Sequence, residues 1–578
     1  MGVAFKQAEL FEVNEIAVTV LDNMANLPLA TRPDAPLEEK IELAIEGMMQ
    51  LMREGRHALV LSSMGKDSSV LCTLALWAIH RAIAQGINVP HVLFGFADTE
   101  YDNPIVNRYA KRELKKLSEY IQRHNLPAEV IVATPTLSND NLVNIMGGRG
   151  TASMPGMDRS CSIQLKVSVG NRMKKIAKKR IKGEVVNVVG KRWEESSYRK
   201  ANMVAAGERP DMTTMINGQP LLSPIAHFTT DDLWGFIAMV RNSEKLPPEQ
   251  AYANYSDFAA MLDVYRDANG GECELVAFTN TKKNATGCSA RTGCLHCSQV
   301  ADDRSMENML VEYPQLRSLF NIRNWIGAMH FDPKRRRWLS REPNADGELS
   351  IEPNAYSPNT CRELMRYYLS AQADEEIRAH KAGEEPLFDV IPERKLIAIQ
   401  LLWLRHGYHE PWAALRDWKA VYEEGERWYP PVDMPIASRK DFPRPKKVRF
   451  PLTVFTGADP AHLHSAAQMA TGACTGSTDD SSASVPLNDE GEFSVDQEGA
   501  ECFIGFIAGE AIAKADKHPP LPSDQLRTLL NMGTVKLRNG QAGYWEKVMT
   551  ISDTLVKHDV PAIIDNPVKL LQVTEGAA

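Results

Sequence analysis

The chain has 578 residues, 43% hydrophobic and 24% charged, with a formal net charge of −8. That length predicts about three or four units rather than one core, and no apolar run approaches the roughly 20 residues that span a bilayer. The acidic start (Glu9, Glu12, Glu15) does not fit a signal peptide, so a cytoplasmic protein is expected, and the negative balance excludes global attraction to nucleic acid.

Residues 37–54 read as an amphipathic helix with Ile41, Ile45, Met48 and Met52 on one face. The apolar run 57–62 predicts a strand, and a long helix begins near Asp67. Further strands are expected at 89–97, 129–133 and 185–189, separated by helices at 107–124 and 166–182. Short apolar strands alternating with helices predict an α/β fold with a parallel sheet covered on both faces. Ligands then sit at the carboxyl ends of the strands. After Phe236 the alternation fades. Residues 246–310 hold a cysteine cluster and little apolar periodicity, and 311–425 look mainly helical, with an aromatic-rich stretch at 403–428. A proline-rich linker follows at 429–445, a Ser/Thr/Asp-rich loop at 472–491 and helical sequence at 501–571. The expected units are 1–55, 56–245, 246–310, 311–450 and 451–578, with no internal repeat.

The first strand runs into Ser63-Met64-Gly65-Lys66-Asp67-Ser68 and then a helix. A small glycine-containing turn at a helix start leaves backbone N–H groups free to hold an anion, and Lys66 adds a point charge. It is not a Walker loop, because Val60 and Asp67 stand where that motif needs Gly and Ser/Thr. The string instead resembles the S-x-G-x-D-S loop of the ATP pyrophosphatase (PP-loop) superfamily, whose members split ATP between the α- and β-phosphates and adenylate an oxygen.

Further strings follow in order: Asp98-Thr99-Glu100 after the second strand, Arg159-Ser160-Cys161-Ser162 with Lys166, Gly190-Lys191-Arg192-Trp193-Glu194-Glu195-Ser196 ending in Arg199, and Ser223-Pro224-Ile225 before Thr229 and Trp234. The first stands where the superfamily holds adenosine, and the other three are similar to hallmarks of its sulfonucleotide-reductase branch. The resemblance implies that Ser63, Gly65, Lys66, Asp67, Ser68, Asp98, Thr99, Gly190 and Arg192 bind ATP. Arg192 is expected to neutralise charge at the α-phosphate, Arg199 is a further catalytic candidate, and Glu195 orients one of the two. Asp67 or Asp98 would hold Mg²⁺.

Four of the nine cysteines, Cys273, Cys288, Cys294 and Cys297, fall in one window. Four thiolates suit zinc or an iron–sulfur cluster. The flanking Arg291-Thr292-Gly293-Cys294-Leu295-His296-Cys297, with Asp303-Arg304-Ser305-Met306 beyond it, resembles the DndC/SspD family of DNA phosphorothioation sulfurtransferases, with Leu295 in place of the usual aromatic. That family implies a [4Fe–4S] cluster on the four cysteines, DNA as substrate, a cysteine desulfurase as sulfur donor and other subunits of a restriction-modification system. Cys161 is expected to relay sulfur, with packing or cluster ligation as the other roles open to it. Basic patches at 171–182, 334–337 (beside Trp338) and 439–449 are candidate DNA contacts or simply solvated faces. Rival readings are a sulfonucleotide reductase, a tRNA thiolation enzyme and a non-catalytic DNA-defence subunit. The first lacks its reactive tail, since Glu501-Cys502 is followed by Phe503-Ile504-Gly505.

Overall fold

The computed structural model describes residues 34–154, 161, 163–242, 254–269, 293–295, 302–343, 349–406, 409–439, 447–448 and 491–557. Cys273, Cys288 and Cys297, the loop at 472–490 and most of the 439–449 patch lie outside them. The chain divides into two interleaved units. A sheet unit comprises Met1–Asp98, Ile105–Thr134 and Gly170–Arg291, and a helical unit comprises Thr99–Pro104, Pro135–Val169 and Thr292–Ala578.

The sheet unit begins with helix α1 (Leu37–Arg53), which buries Ile41, Ala44, Ile45, Met48, Met49 and Met52. Strand β1 (His57–Ser62), helix α2 (Lys66–Ala84), strand β2 (Val92–Ala97), helix α3 (Pro104–Arg123) and strand β3 (Ala128–Ala133) follow. Next come α4 (Ser168–Arg180), which enters the unit at Gly170, and β4 (Val185–Val189). The unit continues with α5 (Ser197–Ala205), β5 (Thr214–Ile216), β6 (Gln219–Leu222), α6 (Thr230–Arg241) and α7 (Ala259–Ala268).

The six strands lie in the order β3-β2-β1-β4-β6-β5. All neighbouring pairs are parallel except the β5–β6 hairpin. The central strands are apolar because both faces are covered: every residue of β2 but Ala97 is buried. Gly95 in β2 permits close packing of α4, since a Cβ there would lie 3.1 Å from Met173 Sδ. Gly47 does the same for α1, with Pro210 O 2.4 Å from where a Cβ would stand. A buried ion pair, Lys40 Nζ to Asp232 Oδ2 at 2.5 Å, joins α1 to α6.

Three features depart from the sequence expectation. β2 starts at Val92 rather than 89, because Pro90 cannot donate to the ladder. The β5–β6 hairpin turns on Asn217-Gly218, both at positive φ (48° and 71°), the two-residue turn such a pair favours. Helix α7 occupies a stretch that reads as aperiodic.

The helical unit contains the short helix Asn141–Met146, α8 (Arg317–Met329), a β7 (Arg336–Pro343) and β8 (Leu349–Tyr356) hairpin, α9 (Pro358–Ala382), α10 (Glu393–His406) and α11 (Ala413–Tyr422). The hairpin interrupts a region expected to be mainly helical. Ser357 caps α9 and Gly383, at φ 66°, ends it. α10 is buried along Lys395–Arg405, and its Lys395 ammonium, 2% exposed, lies 2.9 Å from both Glu100 and Asp140. Residues 491–557 join the same core: Glu492 accepts from Arg149 (2.9 Å) and Arg405 (3.3 Å), and Phe503 packs against Trp412. No helix among the described residues is long and apolar enough to cross a membrane.

Candidate functional site

The carboxyl ends of β1 and β4, adjacent parallel strands, bring two of the sequence strings to one place. Beyond Ser62 the chain turns through Met64, at φ 56°, and Gly65 precedes the first residue of α2. Ser68 ties the loop to itself: its hydroxyl donates to Gly65 O (3.1 Å) and accepts from the Ser63 amide (3.2 Å). Ser69 does likewise with Met64 O (3.2 Å). The amides of Gly65, Asp67 and Ser68 have no hydrogen-bond acceptor among the described residues. Three unengaged donors at a helix start, beside the Lys66 ammonium, form a cradle that suits a phosphate.

At the end of β4, Gly190 abuts the start of α2. A Cβ there would lie 3.5 Å from Asp67 O. Arg192, 4% exposed, directs its Nε to the Asp67 carboxylate in a short ion pair. Its Nη1 reaches Glu194 (3.1 Å), Phe228 O (3.4 Å) and Thr230 Oγ1 (3.4 Å). The third string, 223–234, is therefore joined to the same guanidinium. Glu194 also accepts from the Thr230 amide (2.5 Å) and hydroxyl (2.9 Å), and Trp193 N donates to Ala226 O (2.8 Å). Glu195 pairs with Arg199, whose side chain is 47% exposed, and its other oxygen accepts from the Arg192 amide (3.1 Å). Both arginines are thus held by carboxylates rather than free on the surface.

Other expected site residues fall elsewhere or are committed differently. Asp98 directly follows β2 in the sheet unit, but its carboxylate already accepts from Asn107 (2.9 Å) and pairs with Lys111 (3.3 Å). Thr99 belongs to the helical unit, where its hydroxyl donates to Asp102 (2.8 Å). Asp67 and Asp98 are each paired with a cation, so neither offers an uncommitted carboxylate to Mg²⁺.

Cys161, in the helical unit, is a partly exposed free thiol in a helical turn; Arg159 beside it lies outside the described residues. Cys294 forms a β-bridge with Asp102, and the following Leu295 amide donates to Tyr101 O (2.7 Å). The other three cysteines of the expected cluster, Cys273, Cys288 and Cys297, lie outside the described residues.

The basic patches separate clearly. In α4 and just after it, Lys175, Lys178, Lys179, Arg180 and Lys182 are exposed. In the 334–337 patch, Arg336 is 1% exposed and donates to His330 O, while Arg335 pairs with Glu363 and stacks on Trp325. In the second patch Arg336 is therefore internal structure and Arg335 is committed to an ion pair, while Lys334 is exposed.

Two residues near the loop escape sequence reasoning. His227, next to Phe228, is 1% exposed, and neither ring nitrogen has a hydrogen-bond partner. Burial, with the Lys40 ammonium, lowers its pKa to about 3. Tyr265 on α7 reaches the loop itself. Apolar spacing at Met261, Val264 and Ala268 is the signal that reveals its helix. No family model matches the chain, and no curated protein is significantly similar to it.

Proposed function

We propose that the sheet unit binds ATP at the Ser63–Ser68 loop and splits it between the α- and β-phosphates, adenylating an oxygen of a DNA backbone phosphate for replacement by sulfur. The observation that carries the reading is the Asp67–Arg192 ion pair. It joins two strings 125 residues apart, each resembling a nucleotide-site motif of one superfamily, at neighbouring ends of a parallel sheet.

In this reading the β- and γ-phosphates rest on the amides of Gly65, Asp67 and Ser68, with the Lys66 ammonium alongside. The attacking oxygen forms a bond to the α-phosphorus, the bond to the bridging oxygen breaks, and pyrophosphate leaves with that electron pair. Arg192, held rigid by Asp67, Glu194 and Thr230, stabilises charge that develops at the α-phosphate without having to reorganise. Arg199, aimed by Glu195 and partly exposed, meets the incoming phosphate. Adenylation matters because AMP is a good leaving group and oxide is not. Sulfur from a partner cysteine desulfurase and the four cysteines as cluster ligands belong to the family resemblance; Cys161 as relay rests on its place before a helix with Arg159 and Lys166 close in sequence.

Two measurements test this. Purified protein should release pyrophosphate from ATP in the presence of DNA, and DNA from cells carrying the gene should yield phosphorothioate dinucleotides by mass spectrometry. Pyrophosphate release with thiolated tRNA and unmodified DNA would move the substrate to tRNA. Absence of both activities would leave a nucleotide-type fold without the chemistry.

A further inference from the structure

Tyr265 stands over the phosphate loop. It projects from α7, which is anchored by buried Met261, Leu262, Val264 and Ala268. Its ring meets the edge of Trp234 with centroids 5.6 Å apart at 89°. Its hydroxyl accepts a hydrogen bond from the Lys66 amide at 3.4 Å and lies 3.7 Å from where a Gly65 Cβ would stand. The Lys66 ammonium sits over the ring, 5.6 Å from the centroid, and only 3.7 Å from Asp67 Oδ2.

Three facts follow from that geometry. The hydroxyl occupies an amide of the cradle in the manner of an anion oxygen. The 3.4 Å contact is long for an N–H···O bond, so a charged acceptor displaces it readily. The ring offers Lys66 a second attraction beside that of its neighbour Asp67.

We infer that Tyr265 is a phosphate-contacting residue of this site. When a phosphate takes the Lys66 amide, the hydroxyl, which both donates and accepts, turns its own proton onto an oxygen of that phosphate. The ligand class is a pyrophosphate or the β,γ-end of a nucleoside triphosphate. The inference rests on the reading of the loop given above, and goes beyond it in assigning a residue from outside every recognised string.

The test compares wild type with Tyr265→Phe, which keeps the ring, the Trp234 contact and the Lys66 stacking, so thermal melting should be unchanged. Titration calorimetry with inorganic pyrophosphate, ATP and adenosine reads the contact. Tyr265→Phe should bind pyrophosphate and ATP about tenfold or more weakly, the scale of a hydrogen bond to a charged group, and adenosine as well as wild type does. Unchanged pyrophosphate affinity would overturn the assignment, and so would an equal loss for adenosine, which marks a purely structural role. Wild type that binds pyrophosphate but releases none from ATP would sink adenylation while leaving the Tyr265 comparison decisive. Wild type that binds no pyrophosphate would sink both.

Discussion

Replacing Arg192 by alanine separates a structural arginine from one that serves the reaction. The guanidinium is almost wholly buried, with Asp67, Glu194, the Phe228 carbonyl and Thr230 around it. Removing one partner of a buried pair costs about 3–5 kcal/mol. Here Asp67 and Glu194 keep 27% and 50% of their side-chain surface exposed, so water recovers part of the orphaned charge. A loss of about 2–3 kcal/mol is expected. For a unit of this size that lowers its melting temperature by about 5–10 °C. If Arg192 also stabilises charge at the α-phosphate, pyrophosphate release should fall by about 10²–10³-fold at a temperature where the variant is fully folded. Arg192→Lys keeps the charge but not the planar fork, so it should recover part of the stability and little of the rate. The paired assays are differential scanning calorimetry and pyrophosphate release at 15 °C. Wild-type release by folded Arg192→Ala would refute the catalytic reading and leave Arg192 a structural tie.

Four further outcomes are expected. His227 has a pKa depressed from 6.5 to about 3, so the unfolded chain takes up a proton that the folded chain refuses. Its stabilising contribution is complete above pH 6.5 and is lost as pH falls toward 3. The urea midpoint should drop between pH 7 and pH 5, and less steeply in His227→Gln; equal slopes would assign the loss to other groups. Charge reversal at Lys175, Lys178 and Lys179 should weaken duplex DNA binding and reduce the slope of log affinity against log salt by about three, as anisotropy titrations would show; an unchanged slope would make the patch a solvated face. Gly47→Ala drives a Cβ against the Pro210 carbonyl and should cost about 1–3 kcal/mol in denaturant unfolding, whereas Gly190→Ala, with no contact under 3.5 Å, should fold normally. Cys161→Ser should retain pyrophosphate release and make no phosphorothioate by mass spectrometry; continued DNA modification would return Cys161 to a packing role.

The strands and helices of the parallel core are readable because each is a continuous apolar run or a clean helical stripe between turn residues. The expected β4 coincides with the observed strand, and α1 ends one residue early. The β5–β6 hairpin is hidden because its strands are only three and four residues long and too polar to stand out, although Asn217-Gly218 announces the turn. In the candidate site, the residue types at the ends of β1 and β4 are legible from spacing, but their pairing is not. The local i,i+4 spacing of Glu195 and Arg199 allows their pair, but nothing in the string 190–199 says that Arg192 takes Asp67, because that depends on how adjacent strands register. Tyr265 and His227 are invisible for the same reason: their importance comes from what the fold sets beside them.

The interleaving of the two units has a consequence during synthesis. Every described element of the sheet unit has been translated once Ala268 is made, so that unit can close while the rest of the chain is still being elongated. The helical unit cannot. Its early pieces, Thr99–Pro104 and Pro135–Val169, must wait for partners such as Lys395, Arg405 and the helices up to Lys557. Glu100 and Asp140 remain without their buried cation, and the Asn141–Met146 helix without its cover, until most of the protein has left the ribosome. Such long-delayed contacts are slow to form and expose apolar surface meanwhile. The nascent chain should therefore draw on chaperones late in translation, on behalf of residues made early.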